Sequence, residues 1–223
     1  LATSSAASDV YKRQQKGFLM KNYDVCVIGG CGHVGLPLAL CFADKDLKVS
    51  VYDINQSAVD MVNNAEMPFM ETGCDKILNE RVGKNLHVTT DPGIIKDAKY
   101  VVIVIGTPVD EFLNPDRVIF KEFINEYYQY FADGQTLILR STVFPGTTDW
   151  LNGYLTEKEK NINVAFCPER IAEGKAIEEI YNLPQIVSSY DKKITDDISE
   201  LFKKLTEDII VLDPTEAELA KLY

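Results

Sequence analysis

Continuous apolar runs alternate with helical periodicity along this chain. The run at residues 100–105 is the best candidate for a central strand. Other apolar runs predict strands at residues 25–28, 47–52, 135–139, 163–166 and 209–212. Apolar residues at helical spacing predict helices at residues 34–42, 56–64, 120–131 and 194–205. This alternation predicts a doubly wound α/β fold, in which helices cover both faces of a mainly parallel sheet.

A glycine-rich turn, G-C-G-H-V-G at residues 30–35, follows the first predicted strand. In a strand–turn–helix unit, these glycines permit in turn a tight bend, close approach of the backbone to a pyrophosphate, and close packing of helix on strand. The phosphates would lie on free N–H groups at the helix start. We therefore expect Gly30, Gly32, His33, Val34 and Gly35 to form the cofactor site of a Rossmann-type domain, with the backbone of His33 mattering more than its ring.

The second predicted strand ends at Asp53, 18 residues beyond the last glycine of the turn, Gly35. A carboxylate at this point can bind both ribose hydroxyls, and it would repel a 2′-phosphate, so the sequence predicts NAD rather than NADP. The alternative is a flavodoxin-like or unrelated α/β turn followed by a chance acid. Strand, turn, helix and acid in the expected order favour the dinucleotide.

Charge and cysteine usage exclude several classes of partner. A net charge of −11 and a pI near 4.7 oppose binding to nucleic acid or to an anionic membrane. The five cysteines form no C-x-x-C pair, and the chain has only two histidines, so we expect neither a disulfide framework nor a metal site. No apolar stretch is long enough for a signal peptide or a membrane span, and we expect a cytoplasmic protein.

The two ends of the chain differ from its middle. Residues 1–19 include a Ser/Ala-rich stretch without apolar periodicity, and Met20 stands where a natural start would fit, so we expect a foreign leader. Residues 20–213 are predicted to form the cofactor-binding domain. A helical pattern begins near residue 214 and continues to residue 223, which suggests the start of a longer linker helix and a fragment of a larger protein.

Polar clusters follow three successive predicted strands, at residues 106–108, 140–143 and 167–170. Each cluster alone is typical of an ordinary turn. Ligands of doubly wound sheets bind beyond the carboxyl ends of the strands, where all three clusters would lie. We therefore expect them to border one site.

These residues resemble the nucleotide-sugar 6-dehydrogenases, a family that includes UDP-glucose, GDP-mannose and UDP-N-acetylmannosamine dehydrogenases. Five blocks in family order carry the resemblance, which extends over residues 21–223. They are V-I-G-G-C-G-H-V-G-L-P-L-A at 27–39, I-G-T-P-V-D-E at 105–111, R-S-T-V-F-P-G-T-T at 140–148, F-C-P-E-R-I-A-E-G-K-A at 166–176 and E-A-E-L-A-K-L at 216–222.

The resemblance implies an activity and a role for particular residues. Enzymes of this family oxidise the C6 alcohol of a nucleotide sugar to a uronic acid with two NAD molecules, through a thioester on a cysteine. By resemblance, Thr107 lines the nicotinamide side, Thr142 borders the cofactor and helps to hold a catalytic water, and Glu169 is the base for thioester hydrolysis. Glu173 resembles a second carboxylate on the substrate side. Lys221 resembles the lysine that stabilises a developing alkoxide.

The family's nucleophilic cysteine has no counterpart here, because it lies in a later glycine-rich stretch. Cys167 is the tempting substitute, but no histidine stands near it in the sequence to activate it, and the matched block assigns its region to the hydrolytic carboxylate. We therefore expect that the chain binds NAD without turnover. The intact enzyme is expected to form a homodimer through the helix that begins near residue 214.

The UDP-sugar substrate is less sharply defined. The sequences P-E-R at 168–170 and L-P-Q-I-V at 183–187 favour the N-acetylmannosamine or N-acetylhexosamine branch over the glucose branch. Two other functions stay open: a noncatalytic NAD-binding redox sensor, and another Rossmann dehydrogenase such as a hydroxyacid or 6-phosphogluconate enzyme. The blocks around Glu169 and Lys221 disfavour the latter.

Overall fold

The computed structural model describes residues 22–106 and 117–222. Within these ranges a single eight-stranded sheet has the order β3-β2-β1-β4-β5-β6-β7-β8. The strands are β1 (Tyr23–Ile28), β2 (Val49–Tyr52), β3 (Leu86–Thr89), β4 (Ala98–Ile103), β5 (Thr136–Leu139), β6 (Asn163–Phe166), β7 (Gln185–Ser189) and β8 (Ile209–Val211). Neighbouring strands are parallel except for β6 and β7, which pair antiparallel. The predicted Rossmann-type, mainly parallel sheet is confirmed.

Helices connect these strands and cover the sheet. The α-helices of the described ranges are α1 (Gly35–Asp44), α2 (Gln56–Asn63), α3 (Cys74–Arg81), α4 (Arg117–Tyr127), α5 (Thr147–Glu157), α6 (Ala176–Asn182), α7 (Lys192–Phe202) and α8 (Pro214–Leu222). Two short 3-10 helices span Pro92–Asp97 and Tyr128–Tyr130. The leader and Tyr223 lie outside the described residues.

Two hydrophobic clusters lie on opposite faces of the sheet. In β1, Val25 and Val27 face the cluster that packs under α1, α2, α3, α6 and α7, whereas Cys26 and Ile28 face the cluster under α4, α5 and α8. Since both faces are buried, the central strands carry continuous apolar runs rather than apolar residues at alternate positions only. This explains why the runs at 25–28 and 100–105 are continuous.

The aromatic residues at helical spacing after residue 119 pack into the core, as expected. Tyr127 and Phe131 are buried in the second cluster, and Phe120 and Phe123 pack against it. The hydroxyl groups of Tyr52 and Tyr127 are 2.9 Å apart, which ties α4 to the carboxyl end of β2.

Several elements were not anticipated from the apolar pattern. Helices α3, α5 and α6 each bury four residues or fewer, so their periodicity is weak. The antiparallel strand β7 has only three fully buried positions. The Asp91-Pro92 pair in the sequence is typical of a helix start, and the Asp91 carboxylate accepts from Gly93 N–H at 2.8 Å, but the helix that follows is a 3-10 helix.

Candidate cofactor and active site

The glycine turn adopts its left-handed conformation one residue earlier than expected. Gly29, not Gly30, has a positive φ of +71°, and a Cβ at Gly29 would lie 2.2 Å from the Val104 carbonyl oxygen. The tight bend is therefore made by Gly29. Gly30 is required for a different reason, since a Cβ there would lie 2.7 Å from Cγ1 of Val51.

The other two glycines differ in what surrounds them. A Cβ on Gly35 would lie 2.6 Å from the Cα of Gly30, so close packing of α1 on the turn needs glycine at this position. A Cβ on Gly32 would meet nothing nearer than 3.9 Å. Gly32 is exposed, and the space beside it is open to a ligand.

The N-terminus of α1 suits a pyrophosphate. Val34, at the N-cap, makes no side-chain cap hydrogen bond, and the first turn holds no acidic residue. Backbone N–H groups and the positive end of the helix dipole are therefore available to an anion. The residues present fit the diphosphate of NAD.

Asp53 lies at the carboxyl end of β2, beside the glycine turn. Its carboxylate accepts from the backbone N–H of Cys31 at 2.9 Å and from that of Asn55 at 3.0 Å. The residue is half-buried rather than enclosed. Asp53 thus holds the turn while remaining accessible to a ribose.

A cavity of about 390 Å³ opens at the carboxyl ends of the strands. Its described lining comes from the glycine turn, the end of β4, the segment after β5, the segment after β6, and α8. The lining residues are Gly29, Gly32, His33, Val34, Val104, Ile105, Gly106, Arg140, Ser141, Thr142, Glu169, Ile171 and Lys221. The volume is within the range typical of small-molecule sites.

The cavity brings together most of the site residues expected from the sequence. Gly32, His33 and Val34 of the cofactor turn share it with residues from the polar clusters after β4, β5 and β6, among them Thr142 and Glu169. Lys221 of α8 also lines it. Gly30 and Gly35 are buried beneath the turn.

Besides Gly30 and Gly35, two expected site residues, Asp53 and Glu173, are not among the described lining. Asp53 lies at the end of β2 and is absent from the lining, which fits a role at the ribose end of a cofactor. Glu173 is exposed and does not line the cavity in this conformation. Thr107 lies outside the described residues.

A buried ion pair between Arg140 and Glu169 lines the cavity. The Arg140 guanidinium donates to Oε2 of Glu169 from Nε at 2.9 Å, and its Nη2 lies 2.6 Å from the same oxygen. Its Nη1 donates to the Cys167 carbonyl and to the Gln185 side chain. Both charged side chains are less than a tenth exposed. Sequence reasoning placed Arg140 in a polar cluster that was expected to border the site, but it gave this residue no individual role.

The second oxygen of Glu169 is also held. Its Oε1 accepts from the backbone N–H of Arg170 at 2.7 Å and from that of Ile171 at 3.1 Å. The carboxylate is thus fixed as part of the cavity wall. To take a proton from water, it would use a remaining lone pair or release one of these donors.

The loop that carries Glu173 is held by hydrogen bonds to Glu71, which lies about 100 residues earlier in the sequence. Glu71, which is buried, accepts from the N–H groups of Gly174 at 2.9 Å and Ala176 at 2.8 Å. Two residues before it, Phe69 stacks on His33, with ring centroids 4.0 Å apart. The His33 ring therefore has a packing role in addition to its backbone position.

None of the five thiols suits a nucleophile. Burial raises the pKa of Cys167 to about 12, and its side chain is fully buried. Burial likewise raises the pKa of Cys26, Cys31, Cys41 and Cys74 to about 12. A thiol with such a pKa is almost entirely protonated at neutral pH, and the thiolate is the form that acts as a nucleophile.

Residues 22–106 and 117–222 contain no helix with the length and apolarity needed to cross a bilayer. They also contain no group of three or more His, Cys, Asp or Glu side chains arranged to hold a metal ion.

Comparison with known proteins identifies the family. The sequence model of the UDP-glucose/GDP-mannose dehydrogenase family, NAD binding domain, matches residues 23–206. The chain belongs to this family. As the NAD-binding domain of such a dehydrogenase, it has NAD as its cofactor, in agreement with the expectation from Asp53 and the glycine turn.

Individual relatives agree with this assignment. The chain is 30% identical over 210 residues to the UDP-N-acetyl-D-mannosamine dehydrogenase of Methanococcus maripaludis, covering 90% of this chain and 48% of that protein. The solved UDP-D-ManNAc dehydrogenase from Pyrococcus horikoshii superposes with a TM-score of 0.82 at 26% identity, covering 89% and 49% of the two chains. A ternary complex of GDP-mannose dehydrogenase from Pseudomonas aeruginosa gives 0.80 at 25% identity, covering 89% and 48%. The chain spans about half the length of these relatives.

Proposed function

We propose that the chain is the cofactor-binding half of an NAD-dependent enzyme that oxidises the C6 alcohol of a UDP-hexose to a uronate with two NAD, with UDP-N-acetylmannosamine as the favoured substrate. The observation that carries this proposal is the single cavity shared by the glycine turn and by Thr142, Glu169 and Lys221. The names of the relatives favour the same sugar.

The cofactor is held by the first half of the fold. The diphosphate lies on the open N-terminus of α1 beside Gly32, and Asp53 accepts hydrogen bonds from the ribose hydroxyls. When bound, NAD accepts hydride from the substrate carbon. Ser141 and Thr142 border the far end of the cavity, where the nicotinamide and the reacting carbon would meet.

Charged side chains of the second half act on the substrate. Lys221 lines the cavity, and its ammonium stabilises negative charge on the alcohol oxygen as its proton leaves. Thr142 positions a water, and Glu169 accepts a proton from that water during thioester hydrolysis. Glu173 and Thr107 keep their expected roles on the substrate and nicotinamide sides.

The burial of the thiols determines whether this chain could form the thioester intermediate. Because every thiol in the chain is buried and strongly protonated, the chain by itself binds cofactor without forming a thioester. The same observation favours the second candidate function, a noncatalytic NAD-binding redox sensor. A longer chain that carries an accessible thiol and oxidises UDP-sugars would exclude that alternative.

The assembly and location are part of the proposal. We place the enzyme in the cytoplasm, where free thiols persist, and five unpaired cysteines fit such a reducing compartment. Two leucines on α8, Leu219 and Leu222, are exposed, as a helix at a homodimer interface would require. No nucleic acid or membrane partner is proposed.

Calorimetric titration with NAD and NADP tests the cofactor assignment. Asp53→Asn should weaken NAD binding by about 1.5–3 kcal/mol and narrow the preference over NADP, because a charge-assisted hydrogen bond is lost. Asp91→Asn is the matched control, since Asp91 also follows a strand but caps a 3-10 helix away from the cavity. Equal affinities of the unaltered protein for NAD and NADP would contradict the assignment.

A further inference from the structure

Glu218 is a fully buried carboxylate on α8, with no exposed surface. It lies three residues before Lys221, slightly less than one helical turn away. A buried carboxylate is costly unless donors surround it. Its partners therefore indicate what it does.

The donors to Glu218 all come from the first turn of α5. Oε2 accepts from the N–H of Gly146 at 2.6 Å, and Oε1 accepts from the N–H of Thr148 at 2.8 Å and from its hydroxyl at 2.6 Å. Gly146, at the N-cap, has a φ of +90° and offers no side chain to cap the helix. The N-terminus of α5 is thus capped by a residue some 70 positions later in the chain.

This contact connects two walls of the cavity. The segment that starts α5 follows directly from Ser141 and Thr142, which line one wall. Helix α8 carries Lys221, which lines another. Through its hydrogen bonds to Gly146 and Thr148, the Glu218 carboxylate joins helix α8 to the segment that follows Thr142.

Few other contacts hold the end of α8. Apart from Glu218, its buried residues in the described chain are Pro214 and Ala217, both on the N-terminal side. Leu219 is 41% exposed and Leu222 is 48% exposed. Glu218 is therefore the last buried anchor before Lys221.

We propose that Glu218 is a positioning residue that fixes the Lys221 ammonium in the cavity relative to Thr142. The proposal rests on the function proposed above, in which Lys221 and Thr142 act on the same substrate. When the Glu218 carboxylate is removed, the C-terminal end of α8 loses its hydrogen bonds to α5, and Lys221 no longer lines the cavity.

The test measures the reactivity of the Lys221 amine in the whole chain. Reductive methylation, quantified for each lysine by mass spectrometry, reports how fast Lys221 reacts relative to the other lysines. In Glu218→Gln, Lys221 alone should react about tenfold faster, because hydrogen bonds to a charged group are lost. Glu216→Gln is the matched control on the same helix, and its lysine rates should equal those of the unaltered protein.

A second pair of variants keeps the test valid if Glu218→Gln does not fold. Thr148→Val removes one donor to Glu218 and should accelerate Lys221 by a smaller factor, whereas Thr148→Ser retains the hydroxyl and should restore the original rate. Thermal melts of every variant show whether the fold is intact at the labelling temperature.

Three results would overturn the proposal. These are an unchanged Lys221 rate in Glu218→Gln despite a lower melting temperature, equal acceleration in Glu216→Gln, and a Lys221 rate in Thr148→Ser as high as that in Thr148→Val. The first would leave Glu218 a purely structural cap. Because labelling needs no cofactor, the calorimetric titration can fail without affecting this result, and the reverse also holds.

Discussion

The two halves of the cavity are built by different means. Around the glycine turn, the site consists of backbone N–H groups and of space that side chains would fill: Gly29 and Gly35 are needed because a Cβ would collide, and Gly32 leaves room beside the helix N-terminus. In the second half, the site consists of buried charges, with Glu169 held by Arg140 and Glu218 held by the start of α5.

This difference determines how each half responds to substitution. A backbone site depends on sterics within one strand–turn–helix unit. A site built from buried charges depends on residues far apart in the sequence, and removal of one partner leaves the other charge buried without compensation. Stability should therefore be lost most readily in the charged half, and cofactor affinity most readily in the glycine half.

The largest effect on stability is expected for Arg140→Met. Glu169 would then remain buried without its guanidinium, and the free energy of unfolding should fall by about 3–5 kcal/mol in chemical denaturation. The control is Lys192→Met, which breaks the exposed pair with Asp196 and should change stability little. A small loss in Arg140→Met would show that the ion pair is not the main support of this wall.

Gly35→Ala should have the next largest effect. The new methyl group would lie 2.6 Å from the Cα of Gly30, so the turn and α1 must separate, at a cost of about 1–3 kcal/mol. Thermal unfolding measures the loss. Gly153→Ala is the control, because a methyl group there meets nothing within 4 Å and should raise the helix propensity of α5.

Gly32→Ala separates affinity from stability. A Cβ at Gly32 has no neighbour nearer than 3.9 Å, so the melting temperature should remain within about one degree, since surface changes of this kind cost little. The methyl group occupies the space where the backbone approaches the pyrophosphate, and NAD affinity should fall. Unchanged affinity in calorimetry would place the diphosphate elsewhere.

The smallest expected effect is the reaction of the folded protein with a thiol reagent. At pH 8 the folded protein should react with Ellman's reagent only as fast as local unfolding exposes its thiols, whereas all five thiols should react in guanidinium.

The same burial predicts a pH dependence of stability. Burial raises the pKa of Cys167 from 9.0 to about 12 in the folded protein, so the unfolded chain loses this proton at a lower pH, and the free energy of unfolding should decrease as the pH rises through this interval. A fast-reacting thiol in the folded protein at pH 8 would contradict this view.

Sequence reasoning recovered the glycine half more completely than the charged half. The strand before the turn, the helix after it and Asp53 follow one another within a short segment, so local rules suffice. In this half, the residue with left-handed backbone conformation is Gly29 rather than the predicted Gly30. The position of the bend depends on how closely the segment after β4 approaches the turn, which the sequence does not show.

In the charged half, the resemblance indicated Glu169 and Lys221, but the side chains that hold this half together were not predicted, for a physical reason. Arg140, Glu71 and Glu218 look like ordinary polar residues in the sequence, and their partners lie 29, 103 and 72 positions away. Burial and pairing arise only when the sheet is assembled. The weakly amphipathic helices α3, α5 and α6 were missed because tertiary contacts, rather than a strong apolar face, keep them folded.

The central claim is that one cavity joins the glycine turn to Thr142, Glu169 and Lys221, the side chains that we propose act on the substrate. NMR chemical-shift mapping of the labelled protein during titration with NAD tests it most directly. We predict shifts in the backbone amides of Gly32 and Val34 together with those of Gly106, Ser141 and Thr142, which line the same cavity. Shifts confined to residues outside this cavity, or no shifts at saturating NAD, would contradict the claim.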